Sequence, residues 1–294
     1  MSSLLLLAVL QTGVAGRWDL TLTEGASVYP MWVEVLAGPP AGGRLQGRFG
    51  YALPLRGVVI DSNRIRFPMP SEQPVSNPAQ FSAVVEGNTL TGEIVTPTGS
   101  RIRVAGLRAP SLSRSRSPEW LEPKDLLASG LAGWRPEGAD AKSNWAIANG
   151  ELVNSTRGTN LITVDTYTDF KLHIEVNVPA NGNSGIYLRG RHEVQVDDSY
   201  GKPPSILGMG GIFGQVAPLA QPARPAGEWQ AYYITLIGRR VTVVLNGTTI
   251  LDNAEIPGIT GGALDSAEGA PGPIMLQGDH TAVRYRNIRI TPAR

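Results

Sequence analysis

The stretch Asn183–Tyr200, NSGIYLRGRHEVQVDDSY, constrains this chain more than any other. In its second half, HEVQVDD, Glu193, Gln195 and Asp197 share one face of an extended strand, while Val194 and Val196 share the other. The first half alternates likewise: Ile186 and Leu188 point one way and Gly185, Tyr187 and Arg189 the other, with Gly190-Arg191 available as a turn. If the two halves pair, an aromatic ring, a guanidinium, two carboxylates and a carboxamide line one sheet surface. No packing requirement explains a face this polar, and such surfaces commonly hold sugars.

The rest of the chain agrees with a strand-built protein. Among 294 residues there are 35 Gly and 23 Pro, so turns are frequent and long helices are disfavoured. The expected class is all-β. The net charge of +1 lacks the concentrated basic field that a nucleic-acid or membrane-surface partner requires. Without Cys there is no thiol nucleophile, no disulfide and no Cys-based zinc site, and the three widely separated His give no metal-binding signature.

The opening apolar run Leu4–Leu10, followed by small residues, suits an export signal over 1–15, which predicts a periplasmic or extracellular protein. The run is too short to span a bilayer. Short strand-like segments then fill 16–109 and suit a small antiparallel barrel or sandwich, with Glu86-Gly87-Asn88 as one hairpin turn. The polar, Ser/Arg-rich stretch PSLSRSRSP within 110–121 reads as a linker. From 122 to 294 a denser run of strands, including a hairpin turned at Asn246-Gly247, suits a two-sheet jelly roll. The long Gly/Pro-rich stretch between Gly201 and Gly227 reads as a rim loop.

A family likeness then emerges from motifs in fixed order. They are Asn149-Gly150-Glu151-Leu152, Asn183 to Arg189, Glu193 to Asp197, Gly211-Ile212-Phe213-Gly214, Gly227-Glu228-Trp229, Asn246-Gly247, Gly272 to His280, and Arg286-Asn287-Ile288. Over roughly 122–291 this set closely resembles the 3-keto-disaccharide hydrolase domain family, with its concanavalin-like or laminin-G-like jelly roll. The resemblance implies a carbohydrate substrate: a glycoside whose carbon 3 is already a ketone. That ketone acidifies the hydrogen on carbon 2, so a base removes it, the glycosidic oxygen leaves carbon 1, and water addition completes a net hydrolysis. The route needs a base, a donor to the enolate oxygen and a donor to the leaving group, and no cofactor is expected.

His280 and Glu193 are the candidate acid and base, with either in either role. Alternatively, His280 caps a turn after Gly278-Asp279, and Glu193 sits on a solvated strand face. Arg189, Gln195, Gln277, Tyr187 and Asp197 are the candidate substrate-binding residues. Arg189 offers a planar donor fork, or an ion pair with Glu193 across the hairpin. The carboxamides both donate and accept. Trp229 is expected in the core. Asp197-Asp198 suits turn capping better than calcium, since adjacent strand residues face opposite ways. Glu193 and Asp197 lie about 13 Å apart along a strand, too far for a standard glycosidase pair. Two other readings remain, a non-catalytic carbohydrate-binding module and an ordinary glycoside hydrolase.

Overall fold

The computed structural model describes residues 13–138 and 141–294. The run Leu4–Leu10, on which the export expectation rests, lies outside the described residues. The chain divides into two compact units. One comprises the chain up to Val28, Trp32–Leu45 and Leu53–Ala109; the other comprises Tyr29–Met31, Gln46–Ala52 and Pro110–Arg294.

The sheet of the first unit has nine strands. They are β1 (Gly16–Glu24), β2 (Ser27–Leu36), β3 (Gly42–Gln46), β4 (Leu53–Pro54), β5 (Val59–Asp61), β6 (Arg64–Pro68), β7 (Gln80–Glu86), β8 (Thr89–Val95) and β9 (Arg101–Arg108). Their order is β4-β3-β2-β1-β9-β8-β7-β6-β5, so every neighbour is consecutive in sequence except β1 and β9, whose pairing joins the two halves. Alternation supplies the core: Trp18, Leu20 and Leu22 of β1 are buried with Ile65 and Phe67 of β6. Phe67 pairs with Phe81 on β7, and their rings stack at 4.4 Å. The β7–β8 hairpin turns at Gly87-Asn88, with Glu86 opposite Thr89.

The second unit begins with β10 (Lys124–Asp125), a 3-10 turn (Gly130–Gly133), β11 (Trp134–Pro136), β12 (Trp145–Ala148), β13 (Glu151–Asn154) and β14 (Leu161–Thr163). There follow β15 (Phe170–Asn177), β16 (Asn183–Leu188), β17 (His192–Asp197), β18 (Gln230–Ile237) and β19 (Arg240–Leu245). The last strands are β20 (Thr248–Glu255), β21 (Met275–Leu276) and β22 (Val283–Pro292). One antiparallel sheet runs β12-β13-β22-β15-β18-β19-β20, with β10 on β22; the other runs β11-β14-β21-β16-β17. This is the two-sheet jelly roll that the strand pattern predicts. Asn246 and Gly247 form the two-residue turn between β19 and β20, both with positive φ as a type I′ turn requires.

Between the sheets, Leu172, Ile174 and Val176 of β15 and Ile234 and Leu236 of β18 pack with Ile186, Leu188, Val194 and Val196 of the β16–β17 pair. Burying each such side chain contributes about 1.5–3 kcal/mol. A one-residue slip of β17 would push Glu193 and Gln195 into that core, so the register is fixed by the apolar face alone. Two tyrosines of the larger sheet tie it to the site strands. Tyr232 donates to the Gln195 carbonyl at 3.0 Å, and Tyr285 lies 2.8 Å from Ser184 Oγ, which itself donates to the Gln277 carbonyl. Among the described residues, no helix is long and apolar enough to cross a membrane.

Candidate active site

Strands β16 and β17 pair with Tyr187 opposite Glu193 and Gly185 opposite Gln195. With the valines committed to the core, these four positions face the other side of the five-stranded sheet. There Tyr187, Glu193 and Gln195 border a hollow of about 360 Å³ that is also lined by Gln277, Asp279 and His280. The two acid/base candidates, Glu193 and His280, thus line one hollow, together with Gln195, Gln277 and Tyr187.

Glu193 is 3% exposed. Its backbone is held on both sides, N–H donating to Thr260 Oγ1 at 3.0 Å and the carbonyl accepting from Phe213 N at 3.0 Å. Its side chain leans over Gly185, where a Cβ would come within 2.4 Å of Glu193 Oε1. Only glycine opposite Gln195 leaves room for that carboxyl. Gln195 donates through its amide nitrogen to Glu193 Oε1 and to the Ser184 carbonyl, both at 3.2 Å.

The phenolic oxygen of Tyr187 lies 2.9 Å from Glu193 Oε2 and 2.9 Å from the Gly261 carbonyl. A phenol has one hydrogen to give and both neighbours are oxygens. Both contacts become hydrogen bonds when Glu193 carries a proton on Oε2 and donates it to Tyr187, which donates in turn to Gly261. Electrostatics agree: burial pushes the Glu193 carboxyl up to about 8, only partly offset by the hydrogen bond that Tyr187 would give the ionised form, and Asp279 adds to the rise. Burial drives the Tyr187 phenol well above its usual range, and the Glu193 carboxyl beside it adds to the rise.

His280 is more open, its side chain 43% exposed, and its Nδ1 lies 2.8 Å from Asp279 Oδ1. Because a carboxylate only accepts, Nδ1 carries the hydrogen, and in the neutral imidazole Nε2 is the nitrogen that can take a proton. That hydrogen bond holds Asp279 below the usual carboxylate range. Gln277 is nearly buried, and its Oε1 has no hydrogen-bond partner. An orphaned amide oxygen on the wall of a polar hollow is an acceptor for a hydroxyl.

Two sequence candidates are not brought into this hollow. Arg189 follows the last residue of β16 and takes a left-handed backbone, φ 55°, in the three-residue turn to β17. The strand alternation ends at Leu188, so Arg189 turns away into the protein rather than joining the face of Tyr187. It is fully buried, donates to the Gly238 carbonyl at 2.6 Å and lies 3.5 Å from His192 Nε2. Burial lowers its guanidinium to about 10, partly offset by Glu268 and Asp169. It is a tie within the fold, and the expected pair with Glu193 does not form. Asp197 lines a neighbouring hollow instead, and accepts from Ser199 Oγ at 2.7 Å. Asp198 accepts from Asn181 N, so both aspartates cap turns.

Trp229 also departs from expectation: it is half-buried outside the core cluster, with the Arg286 guanidinium 4.0 Å from its ring. The 201–227 segment does more than rim the site. Its backbone bonds to the outer edge of β17 through Gly210, Gly211 and Phe213, covering an otherwise open strand. Sequence reasoning missed Glu137, Asn160 and Asn183 on the wall of the hollow. Asn160 donates to Glu137 at 2.7 Å and accepts from Gly278 N at 2.9 Å, which fixes the backbone just before Asp279 and His280. Asn183 was legible, as the residue two before Gly185 on the same strand face. Glu137 and Asn160 lie at the borders of β11 and β14, in stretches without periodicity.

A carboxyl held neutral, an oriented imidazole and several carboxamides around one hollow define an acid/base-equipped binding site on a β-sandwich. Residues 123–291 match the family model of the 3-keto-alpha-glucoside-1,2-lyase-like domain, and the chain belongs to that family of carbohydrate-acting domains. No curated protein matches the chain. Among solved structures, the chain is similar to a candidate glycosyl hydrolase of Parabacteroides distasonis at 28% identity and TM-score 0.49, covering 63% of this chain and 96% of that one. A second candidate glycosyl hydrolase from the same organism matches at 19% identity and TM-score 0.47, covering 58% and 93%.

Proposed function

We propose that the C-terminal domain cleaves glycosides whose carbon 3 is a ketone, by elimination across carbons 1 and 2. His280 acts through Nε2 as the base that takes the hydrogen from carbon 2. The electron pair of the broken C–H bond first rests on the carbonyl oxygen as an enolate. It then returns to form the carbon 1–carbon 2 double bond as the bond from carbon 1 to the glycosidic oxygen breaks. Glu193 gives that leaving oxygen its proton. Water added across the new double bond completes a net hydrolysis.

The observation that carries this reading is that a buried carboxyl and an exposed, anchored imidazole line one hollow. Burial favours the protonated carboxyl, while the imidazole is held at Nδ1 by Asp279 with Nε2 as its other ring nitrogen. The family description, a lyase acting across carbons 1 and 2, supports elimination over direct displacement. Gln195 and Gln277 serve as hydroxyl-binding amides.

The test uses 4-nitrophenyl 3-keto-α-glucoside beside its unoxidised parent. Nitrophenolate release from the keto-glycoside alone is the expected result. Deuterium at carbon 2 slows it through a primary isotope effect, and His280→Ala lowers kcat by about 10²–10⁴. Turnover of the unoxidised glucoside would show an ordinary glycosidase. Tight sugar binding without release from either would show a carbohydrate-binding module.

A further inference from the structure

The second compact unit includes two short stretches from earlier in the chain, Tyr29–Met31 and Gln46–Ala52. Both lie outside the 123–291 match, so the family assigns them no role. Yet Arg48, Phe49 and Gly50 line the same hollow as Glu193 and His280. The stretch is built to keep its shape. Gln46 is fully buried, and its amide nitrogen donates to the Gly47 carbonyl at 3.1 Å and the Gly50 carbonyl at 3.0 Å, closing the loop on itself. The Arg48 carbonyl accepts from Gly262 N at 2.9 Å. The other side of that peptide, the Gly261 carbonyl, accepts from Tyr187, the phenol beside Glu193. One peptide unit thus joins Arg48 to the Glu193–Tyr187 pair. A Cβ at position 261 would come within 2.6 Å of the Gly50 carbonyl oxygen, so this close approach needs glycine there.

The Arg48 guanidinium is exposed and lies over two rings, 4.8 Å from the Tyr29 centroid and 5.0 Å from that of Phe49. Such ring contacts position a guanidinium without engaging a hydrogen-bond acceptor. Among the described residues no carboxylate pairs with Arg48 and no hydrogen bond engages its side chain. By contrast, the amides of Gln195 and Asn160 already donate, to Glu193 and to Glu137. The N–H groups of Arg48 are the uncommitted charged donors of this wall.

Elimination leaves one need that Glu193 and His280 do not meet. When the hydrogen leaves carbon 2, the C–H electron pair moves onto the carbon 3 oxygen, and that negative charge forms in a hollow already lined by the acidic groups of Glu137 and Asp279. The imidazolium formed at His280 offsets one of them. Among the described residues on the wall, Arg48 supplies the other cation. Charge that develops in such a site is stabilised most by a donor already in place. Resting on the elimination reading above, we propose that Arg48 is the donor to the enolate oxygen. Its N–H groups bond the carbon 3 oxygen as charge builds there, keeping all their hydrogens, and the charge passes on as the pair returns to form the carbon 1–carbon 2 double bond.

The experiment measures kcat and KM for 4-nitrophenyl 3-keto-α-glucoside in wild type, Arg48→Met and Arg48→Lys. Arg48→Met is expected to lower kcat/KM by about 10²–10³, the usual loss for one oxyanion donor, with most of the fall in kcat. The melting temperature should not move, since the side chain is exposed. Arg48→Lys should recover part of the loss, as a point charge without the planar fork. Added guanidinium chloride, far below denaturing concentrations, should raise the rate of Arg48→Met and leave wild type unchanged, a response that a merely structural role would not give. An unchanged kcat/KM in Arg48→Met, or a loss that neither lysine nor guanidinium relieves, overturns the assignment, while wild-type turnover leaves the elimination standing. No release from the keto-glycoside by the wild type overturns both.

Discussion

Tyr187 and Glu193 face each other across the β16–β17 pair with 2.9 Å between the phenolic oxygen and carboxyl Oε2, and the phenol has a second acceptor, Gly261, at the same distance. The arrangement is complete only while the carboxyl is protonated. This makes the site's acid a group that loses its proton near pH 8 rather than near pH 4.5. kcat/KM is therefore expected to fall as pH rises through about 8. Once the carboxyl ionises, Tyr187 can turn its hydrogen from Gly261 to Glu193 Oε2, and this bond favours the anion, so Tyr187→Phe should move this alkaline limb to higher pH. A pH–rate series on the chromogenic keto-glycoside reads both; an alkaline limb unmoved in Tyr187→Phe removes the coupling.

The same shift predicts a stability effect with a definite sign. The folded carboxyl has its proton affinity raised from 4.5 to about 8, so the native state binds more protons than the unfolded chain between those values, and stability falls as pH rises through that window. At pH 7 the cost relative to a neutral side chain is about 3 kcal/mol, from about 1.4 kcal/mol for each pH unit. Glu193→Gln keeps a donor for Tyr187 and an acceptor for Gln195 while losing the charge. It is expected to melt higher than wild type at pH 8 and to show no gain below pH 4.5, even as it loses activity. Thermal melts across pH decide it; an equal difference at every pH would mean the carboxyl is not held neutral.

Gly185 is the position where backbone and chemistry meet. A Cβ there would stand 2.4 Å from Glu193 Oε1 and 2.9 Å from its Cγ, so Gly185→Ala must swing the carboxyl off Gln195 and Tyr187. Misplacement of a catalytic group by about 1 Å costs about 10² in rate. A loss of that order in kcat is expected, with the sheet preserved by circular dichroism. Retained activity would show that Glu193 works from another position.

The strand pair was legible because period-two alternation is a direct consequence of the pleat, and Val194 and Val196 could only belong to a core. That one inference put Glu193, Gln195 and Tyr187 on a common surface. The same rule failed one residue beyond Leu188, because alternation says nothing once the backbone enters a turn with positive φ, and Arg189 was assigned to a face it leaves. Trp229 misled for a related reason: an aromatic at a strand start reads as core, but stacking beneath Arg284 and Arg286 serves it as well. Glu137 and Asn160 are brought to the hollow by pairing of β11 with β14, a long-range contact that no local pattern encodes.

Asp279 should act through His280 and not on substrate. Its Oδ1 fixes Nδ1, and so leaves Nε2 as the proton acceptor. Asp279→Asn is expected to cut kcat by about tenfold, well short of the 10²–10⁴ for His280→Ala, with KM nearly unchanged. A combined variant should be no worse than His280→Ala alone, since the carboxylate has nothing left to orient. Steady-state kinetics of the two single variants and the double variant test this, and additive losses would assign Asp279 a role of its own.

Arg189 makes the opposite prediction to the one its sequence position invites. Being fully buried, with Gly238 as acceptor and Glu268 and Asp169 as compensating charges, it belongs to the fold. Arg189→Met keeps the aliphatic stem and leaves Asp169 on Arg114 and Glu268 on Arg239, but it strips the buried Gly238 carbonyl of its donor, a change that destabilises by about 1–3 kcal/mol. The melting temperature should drop by several degrees while KM for the keto-glycoside stays put below the melt. A raised KM with unchanged melting would return the guanidinium to the substrate site.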